Sequence, residues 1–290
     1  VIPYRQPDGQ PRISRREQLL FESANVRVGL FDARTSDPHF RFSAVPEEYL
    51  LVFPCTSTRI EHDGVRAFVA DRNVVTYYNP GAVYRRTEVS ARGDRAHWFA
   101  LSAELLDGIL AAQGGHPTRR GTRLEPQLGF THGPSDASSY RLQNEIVRSL
   151  VTGTPSPPAV EASVRTLAER VLAAAHRAAG EPPRRTPEAE VALAERAREL
   201  LARRYAEPLT LDALAAELEC STSLLCHAFR RVTGTTPHAH RDQLRLRRAL
   251  LEVPESRGRL THLGLDLGYS SHSHFTERFR RAFGQPPSAI

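Results

Sequence analysis

The feature that most constrains this chain is a pattern that occurs twice towards its C-terminal end. The first copy is Leu211, Leu214, Ala215, Leu218, Ser221, Leu225, Phe229, Arg230, Arg231, Gly234 and Pro237. The second is Leu260, Leu263, Gly264, Leu267, Ser271, Phe275, Phe279, Arg280, Arg281, Gly284 and Pro287. The offset is 49 residues over the first four positions and 50 afterwards, so the copies differ by one residue in a turn and otherwise keep register.

Each copy has the logic of a helix-turn-helix. Leu211, Leu214, Ala215 and Leu218 fall on one side of a short first helix, with a small residue, Ala215 or Gly264, where the next helix must cross closely. Ser221 and Ser271 stand where a side-chain oxygen can accept from an orphan N–H and start the second helix. Leu225 with Phe229, and Phe275 with Phe279, are spaced i and i+4 and face inward. The opposite face is then exposed. It carries Ser223, Cys226, His227 and Arg230 in the first copy and His272, Ser273, Thr276, Glu277 and Arg280 in the second. Such polar, mostly short side chains can approach base edges in a groove. A small amphipathic bundle would account for one copy. Two copies in register, each closing on Phe-Arg-Arg with Gly three residues on, favour a double reading head.

Charge points the same way. The chain has 39 basic and 33 acidic residues, a formal net charge of +6, and every basic residue is Arg. Residues 220–250 hold six Arg and one Asp, and residues 268–290 hold three Arg and one Glu, so the rest of the chain nets −1. Basic clusters supply the salt-sensitive, sequence-independent part of DNA affinity. Arg without any Lys or Met reads as codon usage in a GC-rich genome, which explains the identity of the charges and not their position.

Upstream the texture changes. Val26–Phe31, Tyr49–Phe53, Ala67–Val69, Val74–Tyr78 and Ala96–Leu101 are short apolar runs separated by turn signals such as Asp63-Gly64 and Asn79-Pro80-Gly81, which predicts strands at sandwich or barrel spacing. Residues 1–18 read as an extended arm and 112–136 as loop. Two helices follow. The first, about 136–151, puts Leu142, Ile146, Val147, Leu150 and Val151 on one face; the second, about 158–179, repeats Val160, Val164, Leu167, Val171 and Ala175. These stripes can cover the β region, each other or a second copy of the chain. Glu181 to Pro187 breaks the helical pattern and reads as the linker.

No apolar run approaches the ~20 residues of a membrane span, and the polar, Pro-containing N-terminus is unlike a secretory signal, so the expectation is a cytoplasmic protein without a membrane partner. The opening Val1 suggests a Val-coded start or a trimmed terminus. Cys55, Cys220 and Cys226 make neither a CxxC pair nor an even disulfide framework.

Leu214-Ala215 through Phe229-Arg230-Arg231 to Gly234 and Pro237, then Arg245-Leu246-Arg247-Arg248-Ala249, then Leu267-Gly268-Tyr269-Ser270-Ser271-His272-Ser273-His274-Phe275 to Phe283-Gly284-Gln285-Pro286-Pro287-Ser288, resemble the DNA-binding domain of AraC/XylS-type transcription regulators. The resemblance covers about residues 188–290. It implies a seven-helix domain in which a central helix, about 237–252, joins two helix-turn-helix units. By position in the motif, Ser223, Cys226, His227, His272, Ser273, His274 and Glu277 would read bases, while Arg230, Arg231, Arg241, Arg280 and Arg281 are better placed for phosphates. Gly264 stands where the family has Ala and is expected to loosen the second unit. Glu277 suits cytosine if it faces the groove and repels phosphate if it does not.

Regulators of this family commonly carry an N-terminal cupin-like barrel that binds a small effector. Asp71 to Gly81 resembles the strand and Pro-Gly turn of such a barrel, with His39, Tyr49, Tyr77 and Trp98 as candidate effector contacts. Metal-binding cupins use an H-x-H pair, a Glu and a later His; His39, His62 and His97 do not complete that set, so neither a metal nor another cofactor is expected and a cupin enzyme fused to a DNA-binding domain is the disfavoured alternative. A second alternative is a thiol or metal switch at Cys220-x5-Cys226-His227.

The expected fold is therefore α+β multidomain: a cupin-like β-barrel with its arm over 1–135, a helical dimerisation segment over 136–180, a linker over 181–187 and an all-α double helix-turn-helix domain over 188–290. The expected function is a non-enzymatic, effector-responsive activator of transcription. Its expected partners are a bipartite promoter site on double-stranded DNA, a small-molecule effector, RNA polymerase and a second copy of itself.

Overall fold

The computed structural model describes residues 4–5, 11–12, 17–37, 40, 46–114, 118–120, 123–125, 127–180, 186–256 and 258–290. The chain divides into one unit spanning Val1–Glu181 and another spanning Pro182–Ile290. Most of the expected arm, His39, and residues 181–185 of the expected linker lie outside the described residues.

The N-terminal unit is β-rich. Its strands are β1 (Tyr4–Arg5), β2 (Pro11–Arg12), β3 (Glu17–Glu22), β4 (Val26–Ala33), β5 (Tyr49–Pro54), β6 (Thr58–His62), β7 (Phe68–Ala70), β8 (Val74–Tyr78), β9 (Tyr84–Glu88), β10 (Asp94–Leu101), β11 (Thr118–Arg120), β12 (Arg123–Glu125) and β13 (His132–Pro134). The helices are α1 (Ala103–Ala112), α2 (Ala137–Thr152) and α3 (Pro157–Gly180). Antiparallel pairing builds a six-stranded sheet, β13-β8-β5-β10-β4-β3, and a three-stranded sheet, β7-β6-β9. Leu50, Ile60, Phe68, Val74, Tyr84 and Trp98, drawn from both sheets, form one apolar core. Among the described residues the strands make separate ladders and no closed barrel is found.

All five apolar runs became strands with bounds within two residues, Ala67–Val69 as Phe68–Ala70. The expectation missed β3, β6, β9 and α1, and β11, β12 and β13 lie in the stretch 112–136 read as loop. Strands β6 and β9 alternate inward and outward, with Thr58, Ile60 and His62 buried and Glu61 exposed, but their inward residues are largely polar and give little hydrophobic signal.

The stripe of α3, including Val164, Leu167 and Val171, is buried within its own unit. Part of it covers the sheet: Ala175 lies so close to Gly133 of β13 that a Cβ there would come within 2.8 Å of the alanine's own. In α2 the buried face is Tyr140, Gln143, Asn144, Ile146 and Val147, whereas Val151, expected inside, is exposed. Of the three partners open to these stripes, the described residues show the β region and the rest of this unit.

The C-terminal unit is helical: α4 (Glu188–Arg204), α5 (Leu211–Glu217), α6 (Thr222–Thr233), α7 (Pro237–Glu252), α8 (Leu260–Asp266) and α9 (His272–Phe283), with 3-10 turns at Val253–Ser256 and Pro287–Ala289. Among the described residues this is six α-helices, and the seventh implied by resemblance is represented only by a turn. No helix among the described residues is long and apolar enough to cross a membrane.

Candidate nucleic-acid interface

Helices α6 and α9 are built alike. Ser221 accepts from the Leu224 N–H at 3.2 Å and Ser271 from the His274 N–H at 3.1 Å, so each serine starts its helix as its position requires. Each helix ends on a glycine in the left-handed region, Gly234 at φ 73° and Gly284 at φ 80°, a conformation that a Cβ would strain. Leu225, Ala228 and Phe229 are buried in α6, and Phe275, Phe279 and Phe283 in α9.

The outward faces carry most of the expected residues. Ser223, His227 and Arg230 are exposed on α6, and His272, Ser273, His274, Glu277, Arg280 and Arg281 on α9; Thr276 is half-buried. Cys226 is half-buried rather than exposed, and Leu224, absent from the sequence reading, is exposed beside Ser223. On α9, Glu277 accepts from Arg280 at 2.9 Å and His272 lies 3.4 Å from the Thr276 hydroxyl. Both side chains of the Glu277–Arg280 pair are well exposed, so the pair holds Arg280 only weakly. Cys220 packs against the apolar core of the first helix-turn-helix, as a small buried residue would.

The arginines divide more sharply than their sequence positions suggest. Arg231 pairs with Glu190 of α4 at 3.5 Å, Arg248 pairs with Glu252, and Arg247 is buried. Arg241 donates to the Leu209 carbonyl, and burial pulls its guanidinium below the ordinary value. Of the six arginines in 220–250, only Arg230 is exposed. The basic cluster of that stretch is therefore mainly engaged within the domain, and Arg231 and Arg241, expected at phosphates, are half-buried there.

What the internal charges do is hold α7 against both turns. Buried Asp242 accepts from the Tyr269 hydroxyl at 3.0 Å and from Arg278 Nε at 3.1 Å. Burial, then the Asp242 charge, raises the Tyr269 phenol, which stays a donor. Arg245 donates to the carbonyls of Tyr205 at 2.5 Å and Glu207 at 3.0 Å, and to Gly268 in the second turn at 2.9 Å. One side chain thus ties the approach to the first helix-turn-helix to the turn of the second. Asp242, Arg245, Tyr269 and Arg278 were missed as positioning residues; buried charge at i and i+3 of one helix is their sequence signal, and it cannot be told from surface charge without the fold.

Gly264 reverses its expectation. A Cβ there would lie 3.0 Å from the Cβ, Cγ and Cδ1 of Phe275, so the missing methyl makes room for a larger ring. In the first helix-turn-helix Ala215 shares a core with the smaller Leu225. The two pairings fill the same crossing with opposite choices of size.

The effector candidates are not assembled. Tyr49 and Trp98 are buried in the sheet, with Trp98 in the apolar core, and the buried Tyr77 hydroxyl donates to the Val171 carbonyl of α3 at 2.9 Å. A cavity of about 300 Å³ in the same unit is lined by His62, Asp63, Val65, Tyr77, Asn79, Val83 and Phe130 among others. Burial holds the His62 imidazole down at about 4, and its Nε2 has no hydrogen-bond partner. Among the described residues no cluster of His, Cys, Asp and Glu could hold a metal ion.

Residues 214–290 match the family model described as a helix-turn-helix domain. The transcriptional activator RhaS of Escherichia fergusonii is 31% identical over 86 residues, 30% of this chain and 31% of that protein. The C-terminal domain is of the AraC/XylS type. RhaS of Pectobacterium atrosepticum is 29% identical over the same length, again 31% of that protein, so the match spans about a third of the curated relatives. Over the whole chain, a single-residue variant of apo ToxT from Vibrio cholerae superposes with a TM-score of 0.42 at 10% identity, covering 92% of this chain and 97% of that one. The AraC-like transcriptional activator CuxR gives 0.37 at 16% identity, covering 87% and 86%. Within this AraC/XylS-type domain, the family match includes both reading helices and the α7 that joins them.

Proposed function

We propose that the chain is a sequence-specific DNA-binding regulator that activates transcription in response to a small molecule. The observation that carries this reading is the pair of capped helices, α6 and α9, presenting polar faces on either side of a 16-residue helix. That helix is about 24 Å long at about 1.5 Å per residue, suited to holding two heads near the ~34 Å repeat of the major groove. Ser223, Cys226, His227, His272, Ser273, His274, Thr276 and Glu277 read bases, with Leu224 offering an apolar contact of the kind a thymine methyl accepts. Arg230, Arg280 and Arg281 meet phosphates. Activation is carried over from the relatives described as activators, and contact with RNA polymerase is the route this reading gives it.

The β-rich unit is the sensor in this reading, a cupin-like domain whose effector occupies the cavity beside His62. A mixed lining, with Val65, Val83, Leu128 and Phe130 beside His62, Asp63, Tyr77, Asn79 and Thr131, suits an organic ligand that carries polar groups, and the unpartnered His62 Nε2 is an available anchor. A homodimer through 136–180 uses the outward faces of α2 and α3, Val151 among them. The protein acts in the cytoplasm, on the nucleoid, as a binding protein and not an enzyme.

The experiment is a salt titration of binding to random-sequence duplex. Arg230→Ala and Arg280→Ala should each weaken binding on every sequence and reduce the salt slope by about one. Arg241→Gln should leave the slope unchanged. Absence of salt-dependent binding by the full chain contradicts the reading.

A further inference from the structure

The cavity of about 300 Å³ in the N-terminal unit is lined by polar side chains that are mostly spent on the protein itself. The Tyr77 hydroxyl gives its proton to the Val171 carbonyl at 2.9 Å and keeps only the capacity to accept. The Asn79 amide is bonded at both ends to the backbone of Leu128, donating to its carbonyl at 3.0 Å and accepting from its N–H at 2.9 Å. The Thr131 hydroxyl meets His132 Nδ1 at 3.2 Å. Two groups are left. His62 is 6% exposed, and its buried Nε2 has no hydrogen-bond partner. Asp63, the next residue, is exposed, and among the described residues its carboxylate has neither an ion pair nor a hydrogen bond.

Both groups are acceptors. The His62 ring is held by Phe68, Tyr78 and Tyr84, with centroids 5.1–6.2 Å from its own, and burial keeps it neutral at pH 7. With its one proton on Nδ1, the ring presents a lone pair at Nε2. A buried nitrogen without a partner is a cost that a ligand donor recovers.

Charge narrows the ligand further. No Arg lines the cavity and the chain has no Lys, so the lining carries a carboxylate and no cation. A ligand carboxylate or phosphate would meet Asp63 as a like charge with nothing to offset it. An ammonium group, which only donates, finds acceptors at Asp63 and His62. The remaining wall suits a hydrocarbon body. Val65 and Val83 are each more than two-fifths exposed, and Phe130 is fixed edge-on between Tyr77 and His176, with centroids 4.9 and 5.0 Å away.

We infer that this cavity takes a small organic amine, its ammonium group donating to the Asp63 carboxylate and to His62 Nε2 and its apolar body lying against Val65, Val83 and Phe130. The inference rests on the reading of this cavity as the effector site, and the test separates the two. The full chain is titrated by calorimetry with phenethylamine, phenethyl alcohol and phenylacetate, which share a phenyl ring and differ in charge. Affinity should fall in that order, with the amine at least about tenfold tighter than phenylacetate. Asp63→Asn, at an exposed side chain that the fold does not use, should weaken the amine about fivefold and leave the alcohol unchanged. His62→Phe keeps the ring packing, removes the acceptor and should weaken both; if that variant fails to fold, the charge series and Asp63→Asn decide. Phenylacetate or the alcohol binding ahead of the amine, or an amine indifferent to Asp63→Asn, overturns the inference. If the ligand that does bind is then excluded by Val83→Trp, the cavity is still a ligand site and the effector reading survives. Binding of none of the three at about 10 mM overturns both.

Discussion

The two helix-turn-helix units share a sequence pattern and are secured by different means. In the first, the Thr210 hydroxyl starts α5, accepting from the Ala213 N–H at 3.1 Å, and the Thr222 hydroxyl donates to Asp212 at 2.8 Å, joining α5 to α6. In the second, α8 begins at Arg259 with no side-chain cap, and the anchoring comes from elsewhere. Tyr269, Phe275, Phe279 and Phe283 form a run of ring contacts with centroids 4.7–5.8 Å apart, and Asp242 of α7 receives both Tyr269 and Arg278. The first head is set by local bonds around its own turn, by the apolar core it shares with α4 and by the α7 arginines that meet the carbonyls leading into it. The position of the second depends on the central helix. A repeated motif therefore does not imply repeated energetics.

Asp242→Ala should break this asymmetry most strongly. It strands the Tyr269 hydroxyl and Arg278 without their acceptor, at an expected cost of about 3 kcal/mol. Amide exchange should rise in α8 and α9 and stay slow in α5 and α6; equal loss in both would erase the distinction. Asp212→Ala removes an exposed contact of the first unit and should cost less than about 1 kcal/mol in urea unfolding.

Next in size is Gly264→Ala. The new methyl overpacks against Phe275 by about 1–3 kcal/mol, partly offset by the higher helix propensity of Ala. Adding Phe275→Leu recreates the pairing of the first unit and should recover part of that loss, a positive coupling measurable in a double-mutant cycle. Additive losses would show that the two sites do not share one crossing.

For DNA, His227→Ala and His272→Ala should each cost about 1–3 kcal/mol at one half-site only, with affinity for random duplex unchanged. The smallest effects are at the caps. Thr210→Ala should cost about 1 kcal/mol, and Arg259→Ser should gain several tenths by supplying α8 with the cap it lacks; thermal unfolding of both variants measures the pair.

Much of the helical unit was legible because its signals are local. Ser221, Ser271, Gly234 and Gly284 punctuate helices whose apolar spacing is regular, and α7 lies at the bounds expected for it. Local signals also explain the failures. Thr58-Arg59-Ile60-Glu61-His62 has the period of a strand but too few apolar residues to reveal it, and Gly108 interrupts the pattern of α1. The fate of the arginines was legible only in part. The i, i+4 pattern put Arg230 on the outward face of its helix, but only tertiary packing sends Arg245 to three backbone carbonyls. Trp98 lies in the core and Tyr77 lines the cavity, and the sequence could not separate the two because aromatic side chains serve cores and pockets alike.

The central claim, that α7 holds two reading heads for simultaneous use, is tested most directly by selecting bound sequences from a random duplex library with the full chain. The account predicts enriched sites with two conserved blocks whose centres lie about one helical turn apart, roughly 10–10.5 base pairs. It predicts that His272→Ala blurs one block and His227→Ala the other. Enrichment of a single block, unaffected by substitutions on one of the two helices, would contradict it.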